Sequence, residues 1–298
     1  MRAGQQAIWL PLLVAAQSAL AADFAGSGVL RAEREVTARS EKLLQRWNAA
    51  TSQEVKQLGG RSASVVEVRA GSERFIVRQP KRVLNNDKEV RGLTQCLRVN
   101  RAQQILAAKL EEPAMVPAAV RATVPATSTN LSPLQPDLEV MVMQHAGKAK
   151  SANEAPYEWI RAVSEHQRLA AAVVDLFSEQ RDRKMENILV RRDGRIRLID
   201  PDKSFGQQQG AIYRSEFFAG GVLGYETTQA TFANLPQPMR ETIGAVAQSS
   251  LVALAETFGL LKPEAQRMRS HARRVLKIGL TAAIDEYVAT LGPLHPPR

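Results

Sequence analysis

Three polar side chains between residues 182 and 200 have the types and the spacing that phosphoryl transfer requires. Asp182 lies in a predicted loop, Asn187 follows it by five residues, and Asp200 ends a short apolar run. One carboxylate can orient an attacking hydroxyl and accept its proton, while an Asn and a second Asp bind the metal ion that neutralises the nucleotide phosphates. We therefore expect Asp182 to be catalytic, and Asn187 and Asp200 to be metal ligands.

A β-hairpin is predicted to carry these groups. The apolar runs 188–190 and 196–199 have the length of short strands, and Asp193-Gly194 between them is a turn signature. The alternative is an ordinary surface hairpin with a solvated, Arg-rich turn at 191–195. An ordinary hairpin does not require the three polar groups at this register, which favours the catalytic interpretation.

The segment resembles the catalytic loop and metal-binding strand of the protein-kinase-like superfamily, whose pattern is D-x-K-x-x-N, then I-L-V, then L-I-D. Asp182-Arg183 is more similar to the phosphatidylinositol 3-/4-kinase-like branch and its secreted and bacterial relatives, which carry D-R-x-x-x-N. Lys184 instead resembles the protein kinases, in which this Lys contacts the transferred phosphate. The resemblance implies an α+β, two-lobed kinase-like fold, with a small strand-rich N-lobe and a larger helical C-lobe.

Two parts of the motif differ from the common pattern of the family. Gln180-Arg181-Asp182 stands where most protein kinases have His-Arg-Asp, and Asp200-Pro201-Asp202 replaces Asp-Phe-Gly. The second change brings another carboxylate next to the expected metal ligand. We therefore expect Asp202 to be a further metal contact.

The resemblance also implies which residues bind the nucleotide phosphates. Gly59 and Gly60 precede the first predicted hairpin and would bring backbone N–H groups to the phosphates, although an ordinary loop is an equal alternative. Arg78 occupies the position of the phosphate-binding Lys, and Lys81 follows three residues later. Arg has a wide, forked guanidinium in place of the compact ammonium group of Lys, so the two are not equivalent. Either Arg78 binds the phosphates, or Lys81 does, or nucleotide binding is weakened. Glu89 resembles the helix acid that pairs with this cation, and a first-turn acid that favours the helix dipole is the alternative.

Apolar periodicity predicts the elements that position these residues. Amphipathic helices are expected from Val29 to Leu58, strands at 65–68, 75–77 and 138–143, and helices starting at Asn86 and over 154–177, 239–258 and 263–291, with a loop-rich stretch between Pro113 and Pro136. The predicted organisation is a signal peptide at 1–21, an N-terminal helical extension at 22–58, an N-lobe at 59–145 and a C-lobe at 146–298.

The first residues have the pattern of a secretory signal peptide. Arg2 precedes an apolar run from Ala7 to Leu20, and Ala19-Leu20-Ala21 offers a small-x-small cleavage pattern. The run is shorter than the roughly 20 apolar residues that cross a bilayer. We expect export, to the periplasm or as a secreted, host-directed protein. The alternative is an amphipathic N-terminal helix of a cytoplasmic protein.

The chain is basic, with a net charge of +10 from 40 basic and 30 acidic residues. Part of this charge is concentrated around the expected site, at Arg181, Arg183, Lys184, Arg191, Arg192, Arg195, Arg197 and Lys203. Such a field attracts nucleotides, acidic substrates and anionic membrane surfaces. Nucleic-acid binding is not expected, because no aromatic–basic interleaving or helix-turn-helix pattern accompanies the charge. The single cysteine, Cys96, excludes an intramolecular disulfide and is expected to be a small buried residue.

Two functions are compatible with these patterns. The first is a divergent kinase-like phosphotransferase that uses ATP and Mg²⁺ to modify a hydroxyl of a protein, a lipid or a small molecule. Nucleotidyl transfer is an alternative chemistry on the same fold. The second is a secreted kinase-like pseudoenzyme or binding module that docks an acidic partner, which Arg78 in place of Lys favours. The presence of all three of Asp182, Asn187 and Asp200 favours the enzyme.

Overall fold

The computed structural model describes residues 31–50, 54–59, 63–80, 86–124, 134, 138–205, 215–218, 221–223 and 230–291, without the side chains of residues 59, 63, 64, 80, 86–91 and 202. The expected signal peptide at 1–21 lies outside these ranges. None of the described helices is long and apolar enough to cross a membrane.

An antiparallel sheet of five described strands forms the N-terminal part of the fold. In the order β1-β2-β3-β5-β4, its strands are β1 (Glu54–Gly59), β2 (Ala63–Ala70), β3 (Glu73–Pro80), β5 (Glu139–Gln144) and β4 (Ala119–Thr123). Every second residue along the middle of β2 and β3 belongs to the hydrophobic cluster of the sheet, namely Val66, Val68, Phe75 and Val77, whereas the buried Glu67 pairs with Arg74. This alternation is what one buried sheet face requires, and it confirms the strands predicted from the sequence. β4, in contrast, lies in the stretch that was expected to be loop.

Residues 31–48 form helix α1, but the helix does not continue to Leu58 as predicted. The chain instead forms β1, in which Val55 pairs with Val68 of β2. A short apolar run fits a strand as well as a helix, and here pairing with β2 decides the outcome. The sheet therefore begins at Glu54 rather than at the predicted boundary of residue 59.

Helix α1 contacts both major hydrophobic clusters of the described chain. Val36 is buried in the cluster formed mainly by helices, whereas Leu43 and Trp47 are buried in the cluster of the five-stranded sheet. The Trp47 ring meets Phe75 of β3 edge to face, with 5.4 Å between ring centroids. This helix therefore connects the sheet with the helical part.

A second, smaller antiparallel sheet contains the segment between Asn187 and Asp200. Its described strands, in the order β6-β7-β8, are β6 (Ala149–Ser151), β7 (Ile188–Arg191) and β8 (Ile196–Leu198). β7 and β8 form the predicted hairpin. Gly194 in its turn has φ 76°, and a Cβ atom at this position would collide with the Ala162 carbonyl oxygen. The turn therefore requires glycine, for its backbone conformation and for its close contact.

The remaining helices are α2 (Asn86–Lys109), α3 (Tyr157–Arg161), α4 (Glu165–Phe177), α5 (Gln237–Gln248), α6 (Leu251–Phe258), α7 (Lys262–Ile278) and α8 (Leu280–Thr290). α2 starts at Asn86, as predicted. The three long helices predicted after residue 154 are each interrupted. Ser164 and Ser250 accept backbone hydrogen bonds as N-caps of α4 and α6, and Gly279, with φ 87°, separates α7 from α8. Apolar periodicity alone predicts one continuous helix in each of these segments, and the capping residues divide it into two.

The fold is α+β, with a five-stranded antiparallel sheet and a larger helical part. The helical cluster is centred on α4, in which Ala170 to Phe177 are all buried. Cys96 is buried as predicted, in a small cluster with Leu93 and Met141. The predicted fold class is confirmed, and the β7–β8 hairpin lies in the helical part.

Candidate active site

The loop between α4 and β7 brings Asp182 and Asn187 together. A single 3-10 turn, Met185–Asn187, leads into β7. The Asn187 Nδ2 donates to the Asp182 backbone oxygen at 2.7 Å and to its Oδ2 at 3.4 Å. Both residues are only 7% exposed. The loop is therefore fixed by its own polar groups and is not a solvated surface turn.

Arg183 is completely buried and connects this loop with α4 and with the hairpin. Its Nε donates to Asp175 Oδ1 on α4 at 3.1 Å, and its Nη1 donates to the carbonyl oxygens of Asn187 and Ile199. Asp175 also accepts from the Ser215 hydroxyl at 2.7 Å. Burial raises the pKa of Asp175, and the Arg183 guanidinium and the Ser215 hydroxyl oppose this shift. Arg183 was expected to contribute to the positive field around the site, but its charge is buried and paired with Asp175.

Gln180, which replaces the His of the family pattern, connects the loop with Asp200. Its Oε1 accepts from the backbone N–H groups of Arg181 at 2.9 Å and Asp182 at 3.2 Å. Its Nε2 donates to the Asp200 backbone oxygen at 3.2 Å. The side chain is buried. Because an amide is acceptor and donor at once, Gln fits a position between two backbone segments.

Asp200 pairs with Arg78 across the two sheets. Arg78 Nη1 on β3 lies 2.7 Å from Asp200 Oδ1, and the two side chains are 18% and 37% exposed. The Asp200 backbone is left-handed, with φ 57° and ψ 68°. This conformation costs a non-Gly residue roughly 1–2 kcal/mol, and such residues are concentrated at functional sites.

The oxygen atoms near this pair suit a magnesium ion shared with phosphates. The N–H of Ile199 donates to the Asn187 carbonyl oxygen at 3.1 Å, and Asp200 is the next residue in the chain. Among the described residues, neither Asn187 Oδ1 nor Asp200 Oδ2 takes part in a hydrogen bond. No group of three or more His, Cys, Asp or Glu in the described chain is placed to bind a metal. Mg²⁺ needs no such group, since one or two protein ligands with water and phosphate complete its shell.

The other predicted site residues are only partly located. Gly59 ends β1 opposite Val65, next to an irregularity in the pairing, while Gly60 and Lys81 lie outside the described residues. Glu89 is in the first turns of α2, and the side chains of Glu89 and Asp202 are likewise outside the description. Lys184 is half-buried in the loop between α4 and β7, next to the 3-10 turn. Of the predicted residues, the structure thus brings Asp182 into contact with Asn187, and Arg78 into contact with Asp200.

Helices α7 and α8 hold the chain just before the loop. Glu179 accepts from His271 Nε2 at 3.0 Å and from Arg267 Nη1 at 3.4 Å. Burial raises the pKa of Glu179, but the hydrogen bond from His271 and the nearby positive charges outweigh burial, and the net shift is downward. Arg181 Nε donates to the Tyr287 hydroxyl at 3.3 Å. Burial raises the pKa of Tyr287, which therefore stays protonated at neutral pH.

The sequence interpretation missed Asp175 and Gln180 as residues that position the site. One pattern could have indicated Asp175, because it is a lone acid in the apolar run 169–177 and a buried acid needs a partner. Gln180 was noted only as a departure from the family. The residues around Gln180 in the sequence show no pattern that predicts its hydrogen bond to the Asp200 backbone oxygen.

Comparisons with known proteins give a limited result. No family model matches the chain, and no curated protein matches it in sequence. Among solved structures, the chain is similar to a Helicobacter pylori proinflammatory kinase, CtkA. The match covers 81% of this chain and 98% of that chain, with 10% sequence identity and a TM-score of 0.37. A similarity of this degree assigns no family, no activity and no residue roles to this chain.

Proposed function

We propose that the protein is a phosphotransferase that moves the γ-phosphoryl group of ATP to a hydroxyl of its acceptor. The observation that carries the proposal is that Asp182 and Asn187 are hydrogen-bonded in one loop, while Asp200, which pairs with Arg78, follows Ile199, whose N–H donates to the Asn187 carbonyl oxygen. Two carboxylates, an amide oxygen and a guanidinium are the groups that phosphoryl transfer uses for positioning and charge neutralisation.

Each side chain has a role that follows from its atoms. Asp182 would orient the acceptor hydroxyl and accept its proton. Asn187 Oδ1 and the Asp200 carboxylate would bind Mg²⁺, with Asp202 as a third contact. Magnesium, when bound, neutralises charge on the phosphates and orients them. The amide nitrogen of Asn187 is already engaged with Asp182, so its oxygen is the atom available to a cation.

Arg78 and Lys184 would contact the phosphates themselves. Arg78 is within hydrogen-bond distance of Asp200, so a nucleotide whose metal is bound at Asp200 lies within reach of the guanidinium. A guanidinium can bind two phosphate oxygens at once. Lys184, in the catalytic loop, would stabilise charge on the transferred group. Lys81, Glu89 and the turn at Gly59 and Gly60 would complete the nucleotide site.

The acceptor and the compartment are part of the proposal. A basic chain favours an acidic acceptor or an acceptor at an anionic surface, such as a phosphoinositide headgroup. Export through the 1–21 segment would place the enzyme where ATP is scarce, so it would act in a host cell or another compartment that supplies nucleotide.

The test is transfer from labelled ATP in the presence of Mg²⁺, with the protein itself and phosphatidylinositol vesicles as acceptors. Label in the γ-phosphate should appear in product, whereas label in the α-phosphate detects nucleotidyl transfer. Asp182→Asn and Asp200→Asn should each lower the rate at least about 100-fold. Asp285→Asn, on the exposed side of α8, removes the same charge outside the site and is the matched control. Equal labelling by Asp200→Asn would refute the proposal.

A pseudoenzyme is the second candidate, and the Arg78–Asp200 pair favours it. The guanidinium engages one oxygen of the expected metal ligand, which competes with a cation for that carboxylate. Thermal unfolding with ATP and Mg²⁺ separates the candidates. Nucleotide at about 100 times its dissociation constant stabilises the folded state by about 2.7 kcal/mol. An unchanged Tm at millimolar nucleotide would favour a scaffold that docks an acidic partner.

A further inference from the structure

A cavity of about 300 Å³ lies on α1, next to the connector that follows β5. It is lined by Glu35 and Arg39 of α1, by residues between Pro113 and Pro117, by the connector at 144–147, and by Arg191 and Arg197 of the β7–β8 hairpin. The Asp182, Asn187, Asp200 and Arg78 group does not line it. The function proposed above makes no use of this cavity.

The described residues that line the cavity include three arginines, Arg39, Arg191 and Arg197, and one acid, Glu35. Burial and the positive charges of Arg191, Arg39 and Arg195 lower the pKa of Arg197 to about 10, so Arg197 remains charged at neutral pH. Burial also lowers the pKa of Arg39, although Glu35 opposes this shift. The cavity therefore concentrates positive charge in a partly desolvated place.

The partners that the arginines have in the protein do not neutralise this charge. Arg39 donates to the carbonyl oxygens of Pro113 and Val116, and Arg197 Nη1 donates to the carbonyl oxygen of Ile196. A carbonyl oxygen satisfies a donor but brings no negative charge. Asp193 lies 3.6 Å from Arg191 Nε and 3.4 Å from Arg195 Nε, so one carboxylate serves two arginines.

We propose that this cavity is a second anion site, separate from the active site, which binds a phosphate group between Arg39, Arg191 and Arg197. Phosphate matches a guanidinium pair in geometry and supplies the missing negative charge. The cavity is large enough for a small organic group attached to the phosphate. A free phosphate and a phosphate monoester would therefore both fit, and both would bind through the same phosphate group.

A ligand at this site would connect α1 with the hairpin of the active site. Arg191 is four residues after Asn187 along β7, roughly 13 Å at the rise of a strand. Arg197 precedes Asp200 by three residues. Binding would thus fix the far end of the hairpin whose near end carries Asn187 and Asp200, and it would tie the hairpin to a helix that contacts both hydrophobic clusters.

The test is the thermal unfolding of the full chain in inorganic phosphate, with sodium chloride keeping the ionic strength constant. A Tm rise of about 2–4 °C is expected once phosphate exceeds its dissociation constant several-fold. Arg191→Gln and Arg197→Gln should abolish the rise. Arg192→Gln, exposed in the same hairpin and outside the cavity lining, removes an equal charge and should keep it. If Arg197→Gln does not fold, Arg191→Gln decides, because the described partner of its side chain is the exposed Asp193.

Further unfolding measurements identify the chemical form of the phosphate ligand and test whether the phosphate binds in the active site instead. Glycerol 3-phosphate should give a larger rise than inorganic phosphate if the natural ligand is a monoester, and a smaller one if it is free phosphate. Arg78→Gln should keep the rise, and a rise lost in Arg78→Gln but kept in Arg197→Gln would place phosphate in the active site and overturn the proposal. An equal response of all variants, or none in the wild type, would also overturn it. ATP labelling is a separate measurement, so failure here leaves the proposed activity unaffected.

Discussion

Arg78 Nη1 lies 2.7 Å from Asp200 Oδ1, and this ion pair connects β3 with the residue that follows the β7–β8 hairpin. The two residues are 122 positions apart in the chain. An expected phosphate ligand and an expected metal ligand thus form an ion pair with each other. Under the proposed function, a nucleotide with its metal ion would share or replace this contact.

Replacing Arg78 by Ala should weaken ATP binding much more than it destabilises the fold. The pair is partly exposed, and exposed ion pairs contribute about 0–1 kcal/mol to stability. A charge-assisted hydrogen bond to phosphate contributes about 1.5–3 kcal/mol, so the Kd of ATP should rise roughly 10- to 150-fold. Calorimetric titration with ATP and Mg²⁺ measures the Kd, and urea unfolding measures the stability.

Two further variants are controls for Arg78→Ala. Arg78→Lys keeps the charge but not the fork, and it should bind ATP more tightly than Arg78→Ala. Arg69→Ala removes an exposed charge from β2 and should leave the Kd unchanged. If Arg78→Ala binds ATP as the wild type does, another residue holds the phosphates.

The site segment could be predicted from the sequence because its determinants are local. The hairpin follows from two short apolar runs and an Asp-Gly turn, and the spacing of the polar residues follows from the loop. The Arg78–Asp200 contact is different, since it depends on how β3 approaches the helical part. Such a long-range pairing leaves no periodic trace in either segment.

Element boundaries were predicted less well, for physical reasons. Val55 and Leu58 suit a helix or a strand, and only pairing with β2 selects the strand. Ser164 and Gly279 interrupt apolar periodicities that continue on both sides of them. Single caps of this kind change a helix boundary without changing the pattern of the core.

Replacing Gln180 by Ala should slow the proposed reaction and destabilise the loop. The variant leaves the buried N–H of Asp182 and the carbonyl oxygen of Asp200 without these partners, whereas the Arg181 N–H still donates to the Lys203 carbonyl oxygen. An unsatisfied buried polar group costs about 1–3 kcal/mol. We expect a lower kcat at nearly unchanged KM for ATP, because Arg78 is retained. A variant with wild-type kcat would show that Gln180 does not position the loop.

Replacing Asp175 by Ala should be among the most destabilising single changes in the chain. Arg183 and Asp175 have fully buried side chains, so the variant leaves a buried guanidinium without its counter-charge. Breaking such a pair costs about 3–5 kcal/mol. Asp193→Ala, which affects exposed arginine pairs, should cost less than about 1 kcal/mol. Urea unfolding compares the two, and equal losses would contradict a structural role for the buried pair.

The stability contributed by Glu179 should depend on pH with a defined sign. Its pKa is lowered in the folded protein, because the hydrogen bond from His271 and the charges of His271 and Arg267 together outweigh the opposing effect of burial. A carboxyl whose folded pKa lies below its unfolded value stabilises the fold above the unfolded pKa of about 4.3. This contribution is lost as the pH falls from that value through the folded pKa.

Urea unfolding of the wild type and of Glu179→Gln between pH 3 and pH 7 tests this sign. The variant should be less stable by about 1.5–3 kcal/mol at pH 7, the range for a hydrogen bond to a charged group. The difference should persist above roughly pH 5 and shrink below pH 4.3. Glu286→Gln, which removes an exposed ion pair with Arg274, is the control, and its effect should disappear in 1 M salt while that of Glu179 persists. A difference that grows on acidification would contradict the lowered pKa, because it would mean that protonation of Glu179 strengthens its contacts with α7.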